Sequence, residues 1–229
     1  MAQTGMESAL DTLLNTVLPG PLQALAWANA VLVLAVATPG LYRHLRQADT
    51  QRWQVLLVTV VVLAMMRGFN TAALQGVLLH FLGATIATLM FGAGPALWVM
   101  AAASLAGGLM GAAWHGWAAD FLLTGALPVA VTLLVCRLVA YFLPHNIFVF
   151  VMGNAFFGAA LAMAASMLGK AAITALLGGQ AAAYVVATPL LMFAEAFFAG
   201  TLIVVIVVYR PAWCVSFDDR VWLWPQQPM

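Results

Sequence analysis

Long apolar runs separated by short polar breaks make up nearly the whole chain. Seven runs approach the stretch of about 20 apolar residues that a membrane-crossing helix needs: 23–42, 53–66, 72–92, 95–113, 119–143, 146–168 and 182–209. The first ends at the basic loop YRHLRQADTQR. The second is short and closes at Arg67. A GAGP turn at 92–95 joins the third and fourth runs as a hairpin, and Pro144 stops the fifth. Pro189 and Glu195 fall inside the seventh. Residues 171–180 read as a Gly-ended linker, and no repeat of fixed period is evident. The pattern predicts an all-α, polytopic membrane helical bundle of about seven transmembrane helices. It divides the chain into an N-terminal segment (1–22), a transmembrane domain (23–209) and a Trp-containing polar tail (210–229).

Basic residues orient the bundle. Arg43, Arg46 and Arg52 share one loop, and Arg210 and Arg220 share the tail. With seven spans these fall on one side, expected to be the cytoplasm, which puts the N-terminus outside and the C-terminus inside. Arg67 and Lys170 are then single charges on the outer side, and Arg137 snorkels from the inner end of the fifth span. Small residues crowd the middle runs, with Gly107 and Gly111 forming a GxxxG that lets helix backbones approach closely.

Composition agrees. Of 229 residues, 65% are hydrophobic and 7% charged, where a soluble domain carries roughly a quarter charged residues. A net charge of +1 with no basic stripe argues against nucleic acid. Cys136 and Cys214 stand apart, one in an apolar run and one in the tail, so no disulfide framework or metal clip is present. The start, with Glu7 and Asp11 and no basic n-region, is not a cleavable signal peptide.

Ionisable groups at membrane depth are the candidates for chemistry. His80 lies within the almost wholly apolar stretch 78–111, as a metal-ligating imidazole or a hydrogen-bonding contact between helices. His115 sits in the turn AAWHGWAAD, between interfacial tryptophans at 114 and 117. Asp120 begins the fifth span, where the helix dipole favours a carboxylate. Glu195 sits among aromatics in LLMFAEAFF with no neighbouring cation. It is protonated, or met by a backbone donor or by Arg137 across the bundle. The 12 methionines are scattered, as gap-fillers are. Gly169-Lys170 lacks the rest of a P-loop, and HExxH, GxSxG and CxxC are absent. The expectation is a non-enzyme.

The run His80-Phe-Leu-Gly-Ala-Thr-Ile-Ala-Thr-Leu-Met-Phe-Gly92, followed by a short turn and a second apolar helix, resembles the CbiM/NikM family. Those proteins are the substrate-capturing membrane subunits of energy-coupling-factor ABC transporters for cobalt and nickel. GWAADFLLTGALP resembles the family's segment after this hairpin, with Ala119-Asp120 where an Ala-Asn pair usually stands. Glu195-Ala-Phe-Phe-Ala-Gly200 and the YRP at 209–211 resemble its Glu-containing helix and closing Arg-Pro. PHNIFVF, GNAFFGAALA and RPAWCVSFDD look closer to a divergent proteobacterial branch. The likeness covers roughly residues 70–215.

The resemblance implies a multi-pass protein of the bacterial inner membrane with a permease partner, cytoplasmic ATPase subunits and a divalent metal ion, Co2+ or Ni2+, as cargo. Typical members begin Met-His-Ile-Pro-Asp-Gly, and that histidine and the amino terminus join the histidine matching His80 in a planar nitrogen site. This chain begins Met-Ala-Gln. His80 alone carries over, with His115 and Asp120 as replacement ligands and Asn70 and Gln75 as nearby oxygen donors. Such a mixed site suits Zn2+, manganese or iron. The alternative is a scaffold, or a subunit for another small solute, that binds no metal.

Overall fold

A computed structural model of the chain describes residues 18–47, 49–68, 71–74, 77–79, 81–109, 116–179 and 181–223. The fold is all-helical apart from one short ribbon. Helices α1 (Gly20–Gln47) and α2 (Thr50–Gly68) come first. Strands β1 (Thr71–Leu74) and β2 (Val77–Leu79) pair antiparallel, Thr71 opposite Leu79 and Leu74 opposite Val77, with an irregular register between. Then come α3 (Ala84–Phe91), α4 (Ala93–Leu109), α5 (Trp117–Phe142), α6 (Ile147–Leu176) and α7 (Ala182–Tyr209). A 3₁₀ turn (Pro211–Trp213) and a short α8 (Asp219–Trp222) end the described chain.

Four of these helices, α1, α5, α6 and α7, are long and apolar enough to cross a membrane. At 1.5 Å rise per residue they reach about 40 Å, beyond the ~30 Å of a bilayer's hydrocarbon. Their outward side chains, such as Leu25, Val36, Leu134, Leu161, Val186 and Leu190, are exposed and apolar, as a lipid-facing surface requires.

The eight residues of α3 are all buried, and this short helix forms the centre of the bundle. It packs on α4, α5, α6 and α7, while α1 and α2 pack on α4. The expected helix over 72–92 is therefore corrected to a ribbon, an irregular segment and a helix of only eight residues. Gly83 sets where that helix starts, since its φ of +65° cannot continue a right-handed helix. The linker expected at 171–180 is also shorter. Residues 171–176 extend α6, and the first left-handed break is Gly178, with φ +78°.

Two helices contain wide turns. In α5 a π segment (Leu122–Ala126) ends two residues before Pro128, which has no N–H to continue the ordinary bonding ladder. In α6 a π segment (Phe150–Phe157) holds Asn154, whose buried Oδ1 has no hydrogen-bond partner. Threonines inside the apolar helices turn their hydroxyls back on the chain, as Thr88 does to Ala84 O (2.7 Å) and Thr132 to Pro128 O (2.9 Å). Thr132 also meets Thr85 across α5 and α3 at 2.9 Å.

The described part of the tail, residues 210–223, folds back on the bundle. The Val215 N–H donates to Met90 O (3.1 Å) and the Ser216 N–H to Leu89 O (3.1 Å). The Ser216 hydroxyl and the Cys214 thiol add bonds to the same Leu89 carbonyl. The open C-terminal carbonyls of α3 are thus satisfied by residues far along the chain. Phe217 and Trp222 pack on Phe150, and His44 and Arg52 line the same small depression as Ala212 and Trp213. The basic loop and the tail therefore share one end of the bundle, as the charge pattern implied.

Two predictions follow from packing. A Cβ at Gly94 would lie 2.8 Å from both the Gly40 Cα and the Ala37 carbonyl oxygen, where α1 crosses the start of α4. Gly94→Ala should lower stability by about 1–3 kcal/mol in thermal unfolding, whereas Gly20→Ala, with nothing within 4 Å, should not. Burial pushes the Cys214 thiol from its ordinary 9.0 up to about 12. Because the folded value lies above the unfolded one, the thiol's contribution to tail docking is full below pH 9 and is lost as pH rises toward 12. In a Cys136→Ala background, maleimide should label Cys214 slowly at neutral pH, and fast neutral labelling would refute the docked tail.

Candidate functional site

The site begins with a buried carboxylate. Glu195 lies near the middle of α7 and is 1% exposed. Burying an ionised carboxylate is costly unless its oxygens are hydrogen-bonded. Both are: Oε1 accepts the Gly83 N–H at 2.7 Å and Oε2 the Leu82 N–H at 3.0 Å. Of the partners considered for Glu195, the backbone donors are therefore the ones it takes. Arg137 is on an exposed face of α5.

These two amides belong to the irregular segment that opens α3. The first amides of a helix have no partner within it, and no side chain of the same segment caps them here. The carboxylate reaches in from α7 instead and also meets the positive end of the α3 dipole. Charge-assisted bonds of this kind are stronger than neutral ones. Leu63 of α2 seals the other face of Gly83, where an added Cβ would collide with its side chain. A non-helical turn inside the bundle is thus held from two sides, immediately after His80.

A second polar group lies nearby. Arg67 stands one turn beyond Leu63 on α2, with its side chain 5% exposed. Its Nη1 donates to Asp120 Oδ2 at 2.7 Å and its Nη2 to the Thr124 hydroxyl at 2.7 Å. Ser104 of α4 donates to the same Asp120 oxygen at 2.9 Å, and the Thr124 hydroxyl donates on to the Asp120 carbonyl at 2.8 Å. The π segment of α5 carries Thr124 within reach of the guanidinium. Three helices, α2, α4 and α5, therefore meet at one polar cluster.

The predicted site residues fare unequally. Asp120 is in the first turn of α5, as a helix-start carboxylate, and is engaged by Arg67, Ser104 and Thr124. His80 and His115 lie outside the described residues, as do Asn70 and Gln75. Among the described residues no group of three or more His, Cys, Asp or Glu side chains could hold a metal ion. Glu195 and Asp120 serve separate clusters rather than one. Sequence reasoning noticed Arg67 as an isolated charge and missed that it pairs with Asp120. Nothing in the sequence pointed to Ser104 or Thr124.

No family model, no curated protein and no solved structure matches the chain.

Replacing Glu195 tests the carboxylate's role. In Glu195→Gln one amide N–H would face the carboxamide NH2, leaving a buried donor unpaired. Thermal unfolding of the purified protein should show a loss of about 1–3 kcal/mol, with Glu195→Ala losing more because both amides are stranded. A Gln variant as stable as the parent would show that the carboxylate is not what holds the turn.

Proposed function

We propose that the chain is the solute-capturing membrane subunit of an energy-coupling-factor ABC transporter, and that its cargo is a divalent transition metal ion. The observation that carries this reading is the broken backbone at 81–83, pinned inside the bundle by Glu195 directly after His80. Irregular backbone at membrane depth is tolerated where it is buried in protein or lines a cavity. Discontinuous helices near the bilayer midplane are where transporters bind their substrates. The resemblance of residues 80–92 and 195–200 to the CbiM/NikM family supplies the substrate class and falls on the two segments that Glu195 joins.

In this reading the protein crosses the bacterial inner membrane seven times, with the segment that ends in α3 as the third crossing and α4 as the fourth, joined as a hairpin. The N-terminus faces outward, and the basic α1–α2 loop and the tail face the cytoplasm. Capture occurs at the end of the bundle that holds Arg67, Asp120 and the ribbon. The opposite end meets the permease and ATPase partners, which supply the energy. His80 is the retained imidazole ligand, His115 a second donor from the turn before α5, and Co2+, Ni2+ or Zn2+ the cargo.

A second reading is favoured by the Arg67–Asp120 pair. With its carboxylate held by a guanidinium, Asp120 is not free for a metal, and the fold then serves another solute or acts as a scaffold. Isothermal titration of the full chain with Ni2+, Co2+, Zn2+ and Mn2+ separates the two. Metal capture requires saturable binding to at least one ion, weakened at least tenfold by His80→Ala and little changed by Asp120→Asn. Absence of binding to all four, or binding indifferent to His80→Ala, favours the scaffold.

A further inference from the structure

A small depression opens at the end of the bundle where the basic loop meets the tail. His44 of α1 and Arg52 of α2 line it, together with Val55, Phe91, Trp213 and Val215. The tail supplies one wall, held against the end of α3 by the bond from the Val215 N–H to Met90 O.

Both polar residues of this lining have unused donors. The Arg52 backbone N–H donates to Asp49 Oδ1 at 2.9 Å, but its guanidinium makes no hydrogen bond or ion pair among the described residues. His44 stands edge-on to the Phe91 ring, and its buried Nε2 has no hydrogen-bond partner. A guanidinium and an imidazole lining one space suit an acceptor that carries negative charge, and phosphate oxygens match the guanidinium fork. The other walls are apolar, so a free phosphate would use only part of the lining. A group with apolar atoms next to its charge uses all of it.

The surroundings point to the same chemistry. Tyr42, Trp53 and Tyr209 are exposed at this end of the helices, as aromatic residues at the headgroup level of a bilayer are. Arg43, Arg46 and Arg210 are exposed there too. A basic recess between helices at that depth is where anionic lipid headgroups bind.

We infer that the depression between α1, α2 and the tail is a binding site for the headgroup phosphate of an anionic phospholipid. Arg52 grips the phosphate, His44 adds a second donor, and Val55 and Trp213 meet the glycerol and the first acyl carbons. Nothing in this assignment depends on which solute the bundle captures.

The test is equilibrium binding to the detergent-purified full chain by thermophoresis. The probes are dioctanoyl phosphatidylglycerol, dioctanoyl phosphatidylcholine and inorganic phosphate. The parent is compared with Arg52→Gln, with Arg52→Lys, and with Arg43→Gln, which removes an equal charge at the same end but outside the depression. The expected result is saturable binding of phosphatidylglycerol, at least fivefold tighter than either other probe. Arg52→Gln should weaken it at least fivefold, the loss of about 1 kcal/mol expected for one cation near an anionic headgroup. Arg52→Lys should recover part of that loss, and Arg43→Gln should stay within about twofold of the parent. Absence of phosphatidylglycerol binding, or binding indifferent to Arg52→Gln, overturns the site. An equal loss in Arg43→Gln overturns it in favour of diffuse surface charge. Inorganic phosphate binding as tightly as the lipid overturns the lipid assignment.

Discussion

One carboxylate holding two successive amides is the constraint on which the rest of this fold depends. Glu195 Oε1 and Oε2 take the Gly83 and Leu82 N–H groups at 2.7 and 3.0 Å. Without them the opening of α3 would carry unpaired donors in an apolar interior, and an uncompensated carboxylate would sit in the middle of α7. With them, each cancels the other's cost. The pairing fixes where α3 starts, and α3 is the wholly buried helix against which α4, α5, α6 and α7 pack. An energetic problem on one helix is thus the solution to a backbone problem on another.

Much of the helical framework was legible because lipid imposes length and apolarity on each element. The starts and stops of α5 and α7 follow the polar breaks and Pro144 closely, whereas α1, expected to stop at 42, runs on through Arg43 and Arg46 to Gln47. The failures are physical. The expected helix over 72–92 is interrupted at Gly83, which takes a left-handed conformation, and the partner of the Gly83 amide lies 112 residues away. Backbone donors leave no trace in a sequence, so Glu195 could be flagged as costly without its partners being found. Arg67 and Asp120 were each noticed and never joined, since a pairing across 53 residues is invisible to local pattern. Small residues were read as permitting close approach, and among the described residues Gly40 and Gly94 make such a crossing; Gly111 of the GxxxG lies outside them.

The two polar clusters divide the labour of the interior. Around Glu195 the charge is matched by rigid backbone dipoles, which suits a permanent joint. Around Asp120 the partners include side chains from three helices, one of them cationic, and side chains can exchange partners where backbone cannot. The π turn in α5 adds to that difference, since a wide turn beside a proline is a place where a helix can change its bonding at low cost. One fixed joint and one adaptable joint suit the capture role proposed above, which calls for grip and later release.

The central helix is closed at both ends by chain that a ribosome has yet to make when that helix emerges. Its first amides wait for Glu195, 113 residues after Leu82, and its last carbonyls wait for Cys214 and Ser216, 125 and 127 residues after Leu89. Contacts of such separation form late, after the cost of closing long loops has been met. During insertion α3 therefore passes through a stage with open polar ends, and helices α4 to α6 assemble around a core that is still unfinished. A chain released early would carry that unfinished core into the bilayer, marked by exposed amides and carbonyls for the cell's membrane quality control to recognise.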